Sequence, residues 1–443
     1  MSLGNALNSS VTGLDATSRA ISVVGDNIAN VNTPGFKERR AEFGDVLGQS
    51  ISAGGGFSQT GAGVMTSRVS TIYSQGTFES TGRPTDLAIE GRGFFVVDDQ
   101  AGGRGYTRAG IFGFDNNGFL STPDGARVQG YGVNAATGAV SGTLGDIAIN
   151  ITVSPPQQTT DYQLSVNLDA NETPTTTGFD WANPDGTSHF RTAATVYDSL
   201  GNPHTVTTFF TNTGANTWDY NVGIDPADTD TAVASAGDLF VQVGTGDLTF
   251  DSDGLLTAVD GGGSALADGA DAYTMTLPFN GGADATQTMD LNFGPFGGAG
   301  TGDSTTQFGG STSAVNSFTQ DGFGPGNLQS IQIGPDGVIT GQYSNGNNLD
   351  IAQIALAIFP NTEGLVSVGN NRLVESNVSG QPLVGGAQSG VMGSVRSNTI
   401  EQSNVDLAAQ FVKMIVHQRA FQANTRTVSV ANELMGNLVG LGA

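Results

Sequence analysis

Three histidines, His189, His204 and His417, are the side chains best suited to metal binding or acid–base catalysis. Zinc sites often place their ligands at characteristic short spacings, and the serine of many hydrolase triads lies in a G-x-S-x-G turn. These histidines are far apart, and no such turn accompanies them. Cysteine is absent, which excludes disulfides and thiolate chemistry. We therefore predict no catalytic residues and no metal ligands.

Two glycine-containing stretches invite a cofactor interpretation. Residues 91–94 (GRGF) resemble half of a dinucleotide-binding loop, but a strand-like FVV run follows where the fingerprint needs a helix. Residues 251–254 (DSDG) resemble part of a calcium loop, but the remaining ligands of an EF-hand are missing. Hairpin turns explain such Asp-Gly pairs, because both residues tolerate positive φ. We predict no cofactor.

Composition narrows the class of protein further. The 443 residues carry 41 acidic and 16 basic side chains, for a net charge of −25, and 66 are glycine. A chain this acidic has few cations with which to displace counterions from nucleic acid, so we expect no nucleic-acid partner. No apolar stretch reaches the roughly 18 residues of a membrane span, and we expect no membrane insertion. Residues 1–30 lack the pattern of a cleaved signal peptide.

Apolar residues repeat every seven positions at both ends of the chain. Such heptads indicate coiled-coil helices, predicted at about residues 3–31 and from about 404 towards 440, with residues 403–406 (SNVD) as a capping-box-like start for the second. The predicted contact residues are Leu7, Leu14, Ile21 and Ile28 in the first helix, and Leu407, Phe411, Met414, Phe421, Val428 and Met435 in the second.

These stripes have two interpretations that the heptads alone leave open. The two helices form one intramolecular hairpin, or they also pack against copies of themselves. Polar residues interrupt both seams, and Gly4, Gly13 and Gly25 each cost a helix interior about 1 kcal/mol relative to alanine. We therefore expect neither helix to be stable alone.

The region between the ends is predicted to be β structure. Turn signals occur every 8–12 residues between runs rich in Val, Ile, Phe, Tyr and Thr, which is typical of antiparallel β domains. Residues 151–320 hold 20 acids and one base, Arg191, so most of the negative charge lies there. This acidic stretch is predicted to be an inserted outer domain within a discontinuous inner one.

The predicted architecture is thus mainly β with α-helical termini and nested discontinuous domains. We assign residues 1–31 and 404–443 to a terminal coiled-coil domain, and 32–71 and 371–403 to extended connecting segments. An inner β domain comprises 72–153 and 321–370, and an outer acidic β domain comprises 154–320.

A short signature follows the first predicted helix. Thr33, Pro34, Gly35 and Phe36 predict a β-turn, because proline pre-sets φ at its second position and glycine accepts positive φ at its third. Asn27 and Asn30 precede it and are suited either to capping the helix or to making hydrogen bonds between subunits. The residues alone do not choose between these roles.

The signature from residue 27 to 37 (NIANVNTPGFK) resembles that of the bacterial flagellar rod, hook and hook-associated proteins. Residues 403–407, 414–415 and 418–424 are similar to the closing helix of that family, and residues 85–89, 91 and 93–95 with 106–110 to its first β domain. Residues 196–204, 336–346 and 353–359 resemble the hook branch of the family. Residues 215–320 are the part least matched to its pattern.

The resemblance implies a non-enzymatic structural subunit whose terminal helices form a coiled-coil inner tube, with two antiparallel β domains outside. It implies a self-assembling, curved homopolymer that acts as a universal joint between rod and filament. Implied partners are copies of the chain, a hook cap protein, a distal rod protein, a hook–filament junction protein and the flagellar type III export apparatus. The implied location is the extracellular flagellar hook, reached without a cleaved signal peptide.

Two alternatives remain. A distal rod or hook-associated protein would share the termini but form a straight tube or a junction ring. An acidic extracellular adhesin or β-domain enzyme would explain the composition, although it gives no reason for paired terminal heptads.

Overall fold

A computed structural model describes residues 3–53, 56–99, 103–134, 138–149, 153–231, 235–261, 264–265, 273–296 and 303–440. Parts of the predicted outer domain, 232–234, 262–263, 266–272 and 297–302, lie outside the described residues, as do the chain ends 1–2 and 441–443 of the predicted terminal domain. None of the helices described has both the length and the apolar character needed to cross a membrane.

The chain is mostly β, with long helices at its two ends, as predicted. The first part contains α1 (Leu3–Ala29), β1 (Arg39–Ala53), β2 (Gly56–Thr71), β3 (Phe78–Ser80), β4 (Leu87–Glu90), β5 (Phe94–Asp98), β6 (Arg104–Thr107), β7 (Gly113–Phe114), β8 (Leu120–Ser121), β9 (Arg127–Val133) and β10 (Val140–Asp146). The middle contains β11 (Val153–Ser154), β12 (Asp161–Leu168), α2 (Pro184–Thr187), β13 (Phe190–Tyr197), β14 (Pro203–Gly214), β15 (Thr217–Ile224), β16 (Val241–Phe250), β17 (Leu256–Gly261), β18 (Ser264–Ala265), β19 (Tyr273–Leu277), β20 (Gln287–Asn292), β21 (Thr306–Gln307) and β22 (Ala314–Gln320). The last part contains β23 (Gly326–Ile333), β24 (Val338–Tyr343), β25 (Asn348–Ile358), β26 (Val366–Gly369), β27 (Arg372–Val374), β28 (Leu383–Gly386), β29 (Ser394–Ser397), β30 (Thr399–Glu401) and α3 (Leu407–Gly440), and short 3₁₀ turns lie at Pro226–Asp228 and Thr362–Gly364.

The chain divides into two compact units. The first comprises residues 1–152, 329–342 and 348–443, and the second comprises 153–328 and 343–347. The predicted outer segment, 154–320, falls within the second unit. Strands β27 and β28 follow residue 370 and pair with β6 and β25, so the sheet of the first unit continues into the segment predicted to be a connection.

The terminal helices begin and end close to the predicted positions. Helix α1 ends at Ala29, where the Asn30 amide donates to the Asp26 carbonyl. Helix α3 begins at Leu407, and the Asp406 carboxylate accepts the amides of Ala408 and Ala409 at 2.8 and 3.2 Å. The N-cap is therefore Asp406 rather than a residue earlier in the SNVD run.

Strands β1 and β2 form a long antiparallel hairpin that packs against α1. Its pairing runs from Arg39 opposite Thr71 to Ala53 opposite Gly56. The backbone of Gly63 is left-handed, with φ of 110°, and the following Val64 amide donates to the Thr12 hydroxyl at 3.3 Å. The segment 32–71, predicted as an extended connection, is thus mainly a two-stranded ribbon.

The first unit is built around a sheet with β25 near its centre. Strands β24, β28, β5 and β9 all pair with β25 in antiparallel fashion. Its buried residues include Phe94, Val96, Tyr106, Ala355 and Phe359, and edge-to-face ring contacts join Phe94 and Tyr106 to Phe359. Tyr73, in the segment after β2, packs against this core.

The second unit has two sheets over one large core. Strands β13 to β18 form an antiparallel six-stranded sheet, and β12 and β19–β22 form a five-stranded sheet in which β12 runs parallel to β20 and β21. Trp218, Tyr220, Leu164 and Met289 belong to the core between them and are fully buried or nearly so. Asp198 is buried, and the other described acids of this unit are at least partly exposed around an apolar interior.

Candidate assembly surface

The terminal helices run antiparallel and meet along a seam of small and polar residues. Asn27 of α1 contacts Gln410 of α3, and a Cβ placed on Gly13 would lie 2.7 Å from the Asn424 amide nitrogen. The two contacts lie two heptads apart along both helices, so the seam keeps a heptad spacing. Ala16 and Ala20 are buried on the same side of α1. Small side chains let the two helices approach closely.

The predicted stripe of α1 flanks this seam. Leu7, Leu14, Ile21 and Ile28 are each half-buried. In α1 the seam positions Gly13 and Asn27 directly precede Leu14 and Ile28. The large apolar residues therefore lie beside the line of closest contact, which the heptad pattern alone did not locate.

The predicted stripe of α3 is left largely uncovered in the single chain. Leu407, Phe411, Phe421 and Met435 are 40, 51, 38 and 49% exposed, whereas Met414 and Val428 are half-buried. Further large apolar side chains of α3 are also exposed: Val412, Ile415, Val416, Val430 and Leu434. Single exposed apolar residues are ordinary, but a row along one long helix is typical of an interaction surface.

Asn27 fixes the chain just after the first helix. Its carboxamide oxygen accepts the Arg39 amide at 2.9 Å, and its nitrogen donates to the Arg39 carbonyl at 2.7 Å. The same nitrogen donates to the Gln410 side-chain oxygen at 3.2 Å. Asn27 is fully buried, so these bonds replace its lost water. Its partners lie within the chain.

Asn30 has the capping role. Its side-chain nitrogen donates to the Asp26 carbonyl at 2.9 Å, and its side-chain oxygen accepts the Thr33 hydroxyl at 3.2 Å. The predicted turn follows, with the Phe36 amide donating to the Thr33 carbonyl and φ of 72° at Gly35. A side chain at Gly35 would meet the backbone of Ala109 at 2.5 Å. The turn is confirmed, and it packs closely against the β region.

A buried cluster of three charges lies beside this turn. The Glu401 carboxylate is fully buried, with one oxygen 2.5 Å from the Lys37 ammonium and the other 3.3 Å from the Arg108 guanidinium. Burial lowers the pKa of Lys37, and the Glu401 carboxylate opposes that shift. Burial likewise lowers the pKa of Arg108, again against the attraction of Glu401. One carboxylate thus compensates two buried cations.

Backbone groups complete the cluster. Lys37 also donates to the Ser74 carbonyl at 2.8 Å, and Arg108 donates to the Gly91 carbonyl at 2.7 Å. The Gly76 amide donates to the Glu401 carboxylate at 2.9 Å. These bonds tie the segment after α1, the start of the inner sheet and the segment before α3 to one point. The sequence offered only one signal for this cluster, a lysine directly after the turn in a chain with two lysines.

A second polar group joins α3 to the same junction. The Asn404 side-chain oxygen accepts the Glu38 amide at 2.7 Å, and its nitrogen donates to the Ile72 carbonyl at 2.9 Å. The Glu38 carboxylate accepts from Gln410 at 2.7 Å and from Lys413 at 2.6 Å. The first turns of α3 are therefore held by side chains from the segments on either side of β1 and β2.

The three histidines have separate environments. His204 stacks on Phe279 at 4.0 Å and lies 3.1 Å from the Asp198 carboxylate. His189 approaches the Thr173 carbonyl, and His417 lies edge-on to Phe43. Across the described ranges, no three His, Cys, Asp or Glu side chains converge as metal ligands would.

The two glycine-containing motifs form turns. The Asp251 carboxylate accepts the amides of Asp253 and Leu255 within its hairpin, both at 2.9 Å. Gly91 and Gly93 have φ of 99° and 140°, and β5 follows them directly. The stretch therefore leads into a strand, as the sequence predicted.

Models of flagellar axial proteins match four parts of the chain. Residues 7–37 match the flagella basal body rod protein model, and residues 396–441 match the C-terminal model of the basal body rod FlgEFG proteins. Residues 88–169 match the FlgE/F/G hook protein D1 domain, and residues 167–323 match the flagellar basal body protein FlaE D2 domain. The matched ends contain the seam together with Lys37 and Glu401 of the charged cluster, and Arg108 lies in the D1 match.

Relatives align with the chain over almost its full length. The flagellar hook protein FlgE of Treponema pallidum is 34% identical, over 98% of this chain and 99% of the relative. The FlgE of Borreliella burgdorferi is 35% identical with the same coverage, and that of Escherichia coli is 33% identical over 98% of this chain and 100% of the relative. The chain belongs to the flagellar hook protein FlgE family.

Proposed function

We propose that this chain is a structural subunit of the bacterial flagellar hook and that it assembles into a curved tube through its terminal helices. The observation that carries the proposal is the row of exposed apolar side chains on α3, headed by Phe411 and Phe421 at 51 and 38% exposure. Burying such side chains against neighbours stabilises a polymer, at about 25 cal/mol for each Å² of apolar surface removed from water.

Polar residues that interrupt the exposed apolar stripe of α3 keep each contact between neighbours weak. Gln418, Thr425 and Asn432 are exposed at heptad positions where a strongly associating coiled coil would carry apolar residues. Assembly then depends on many copies, and the tube is stable while a single neighbouring contact is not. Weak contacts that shift between neighbours allow a tube to bend while it transmits torque, as a universal joint must.

The partners follow from this role. The subunit is exported through the flagellar type III apparatus, adds beneath a hook cap protein, and meets a distal rod protein at one end and a hook–filament junction protein at the other. Its location is the extracellular hook of the flagellum. Membership in the FlgE family and the matches at both ends support these assignments.

Replacing Phe421 with Asp in the full chain tests the proposal. The charged side chain opposes burial in the tube but is tolerated on an exposed face of the single chain, so assembly should fail while the β units stay folded. Phe308→Asp is the matched control, because Phe308 is similarly exposed, at 45%, in the second unit. Electron microscopy detects tubes, and circular dichroism measures whether the β units are folded. If Phe421→Asp forms normal tubes, the terminal helices are not the assembly surface.

A further inference from the structure

Helix α3 is basic within a strongly acidic chain. It carries Lys413, Arg419, Arg426 and one acid, Glu433, whereas the whole chain has a net charge of −25. Lys413 forms an ion pair with Glu38. Arg419, Arg426 and Glu433 are exposed, and none has an ion-pair partner among the described residues. Water solvates them in the single chain, so they are available to pair with another copy.

These three charges lie on one face of α3. Successive charges are seven residues apart. In a straight α-helix, side chains seven residues apart point in directions that differ by only about 20°. The same face carries the exposed Val412 and Val430. The side of α3 that meets α1, at Gln410 and Asn424, points away from it.

Tube symmetry restricts how α3 lies beside the α3 of a neighbouring copy. Copies added by one repeated rotation and translation make identical heterologous contacts, and adjacent α3 helices then run in the same direction. Parallel helices side by side are about 8–10 Å apart, a distance that Arg and Glu side chains can bridge. A stagger by a whole number of heptads keeps the apolar stripe of one copy in register with the stripe of the next.

The charges distinguish among these staggers. A shift of one heptad sets Glu433 beside Arg426 but also sets Arg426 beside Arg419, which repel. A shift of three heptads sets Glu433 beside Val412 and leaves it unpaired. A shift of two heptads sets Glu433 beside Arg419 and Arg426 beside Val412, without contact between like charges.

The apolar stripe, which lies on the opposite side of α3 from Arg419 and Glu433, fits the same shift. With a stagger of two heptads, Met435 of one copy lies level with Phe421 of the next, and Phe421 lies level with Leu407. These three residues are among the most exposed of the stripe.

We propose that Glu433 of one copy forms an ion pair with Arg419 of a neighbouring copy and that this pair selects a stagger of about 21 Å between adjacent α3 helices. The inference rests on the proposed function, since it assigns the register of the same assembly surface. Asp45 on β1 is a further exposed acid of the terminal region that lacks an ion-pair partner among the described residues, and it is the competing partner.

Charge reversal in the full chain tests the pair. Arg419→Glu should raise the critical concentration for tube formation by about fivefold, because an attraction is replaced by a repulsion in every subunit. Adding Glu433→Arg to Arg419→Glu should return the critical concentration to that of the unmodified chain. Arg426→Glu combined with Glu433→Arg is the matched control and should not recover wild-type assembly. Rescue of Arg419→Glu by Asp45→Arg, or no rescue by Glu433→Arg, would overturn the pairing.

Cross-linking gives a readout independent of affinity. The chain has no cysteine, so Arg419→Cys with Glu433→Cys introduces the only two thiols. Within one helix these positions are about 21 Å apart, too far for a disulfide or a short thiol cross-linker. Assembled tubes should therefore give covalent multimers, whereas tubes of Arg426→Cys with Glu433→Cys should give few.

The outcomes separate the two proposals. Absence of tubes from the unmodified chain would overturn the proposed function together with this register. Tubes that form normally but cross-link equally well through both cysteine pairs would leave the proposed function standing and overturn the stagger of two heptads.

Discussion

The carboxylate of Glu401 lies 2.5 Å from the ammonium of Lys37, although 364 residues separate them along the chain. Both side chains are buried, and Arg108 reaches the second carboxylate oxygen. The contact joins the segment that leaves α1 to the segment that enters α3. It explains how a chain with both ends in one helical pair is tied to its β region.

Glu401→Gln should destabilise the first unit by about 3–5 kcal/mol, because it leaves two buried cations without a compensating charge. Denaturant unfolding followed by circular dichroism measures the loss. Asp15→Asn is the control, since the Asp15–Arg19 pair is 64% exposed on both sides and should change stability by less than about 1 kcal/mol. Equal effects of the two variants would contradict a structural role for the buried cluster.

Local features of this junction were predictable, and its long-range pairing was not. The turn at Thr33 to Phe36 follows from the φ preferences of proline and glycine, which act within a single turn. Glu401 meets Lys37 through tertiary contacts: the Gly35 amide donates to the Glu401 carbonyl at 2.8 Å, and β30, which ends at Glu401, is held by pairing with β3. No local pattern encodes that meeting.

In the helical seam, too, the local features were predictable and the long-range contacts were not. The heptads predicted both helices within a few residues, because periodicity is a property of each segment alone. They did not locate the closest contact, which depends on Gly13 admitting Asn424 and on Asn27 reaching Gln410. Packing between helices follows the size of facing side chains as well as hydrophobicity.

Asn27→Ala should destabilise the first unit by about 1–3 kcal/mol for each polar group left unsatisfied, which here includes the amide and carbonyl of Arg39. Asn27→Asp keeps the acceptor for the Arg39 amide but sets an oxygen against the Arg39 carbonyl, so it should not rescue stability. Thermal unfolding at equal concentration is the measurement. Asn32→Ala, at an exposed position shortly after Asn30, serves as the control. If Asn27→Ala leaves the unfolding temperature unchanged, the buried amide contributes nothing to the stability of the fold.

The second unit should lose stability as the pH rises from about 4 to about 6. Burial and the neighbouring carboxyl of Asp247 raise the pKa of Asp219 to about 6, above its ordinary value of 3.8. Between these values the folded state holds a proton that the unfolded state has released, so the free energy of unfolding falls with increasing pH.

Asp219→Asn should flatten that pH dependence, because the amide does not titrate. Trp181 and Trp218, the two tryptophans of the chain, both lie in the second unit, so their fluorescence reports its unfolding in the full chain. Asp230→Asn, at an exposed position of the same unit, is the control and should keep the wild-type slope. An unchanged slope in Asp219→Asn would assign the pH dependence to other groups.

The shape of the assembled tube should respond to ionic strength. Residues 151–320 carry a net charge of −19, and bases that could neutralise it are nearly absent from that stretch. Screening confines repulsion between such surfaces to about 8 Å at physiological salt, about 30 Å at 0.01 M and about 3 Å at 1 M. Neighbouring acidic units that repel less can approach more closely, and the curvature of the tube changes with that approach. Electron microscopy of tubes across a salt series measures this curvature. The comparison is the same series on a variant with Asp→Asn replacements at Asp225, Asp230 and Asp253. Curvature that is constant across the series in both proteins would show that repulsion between acidic units does not set the form of the tube.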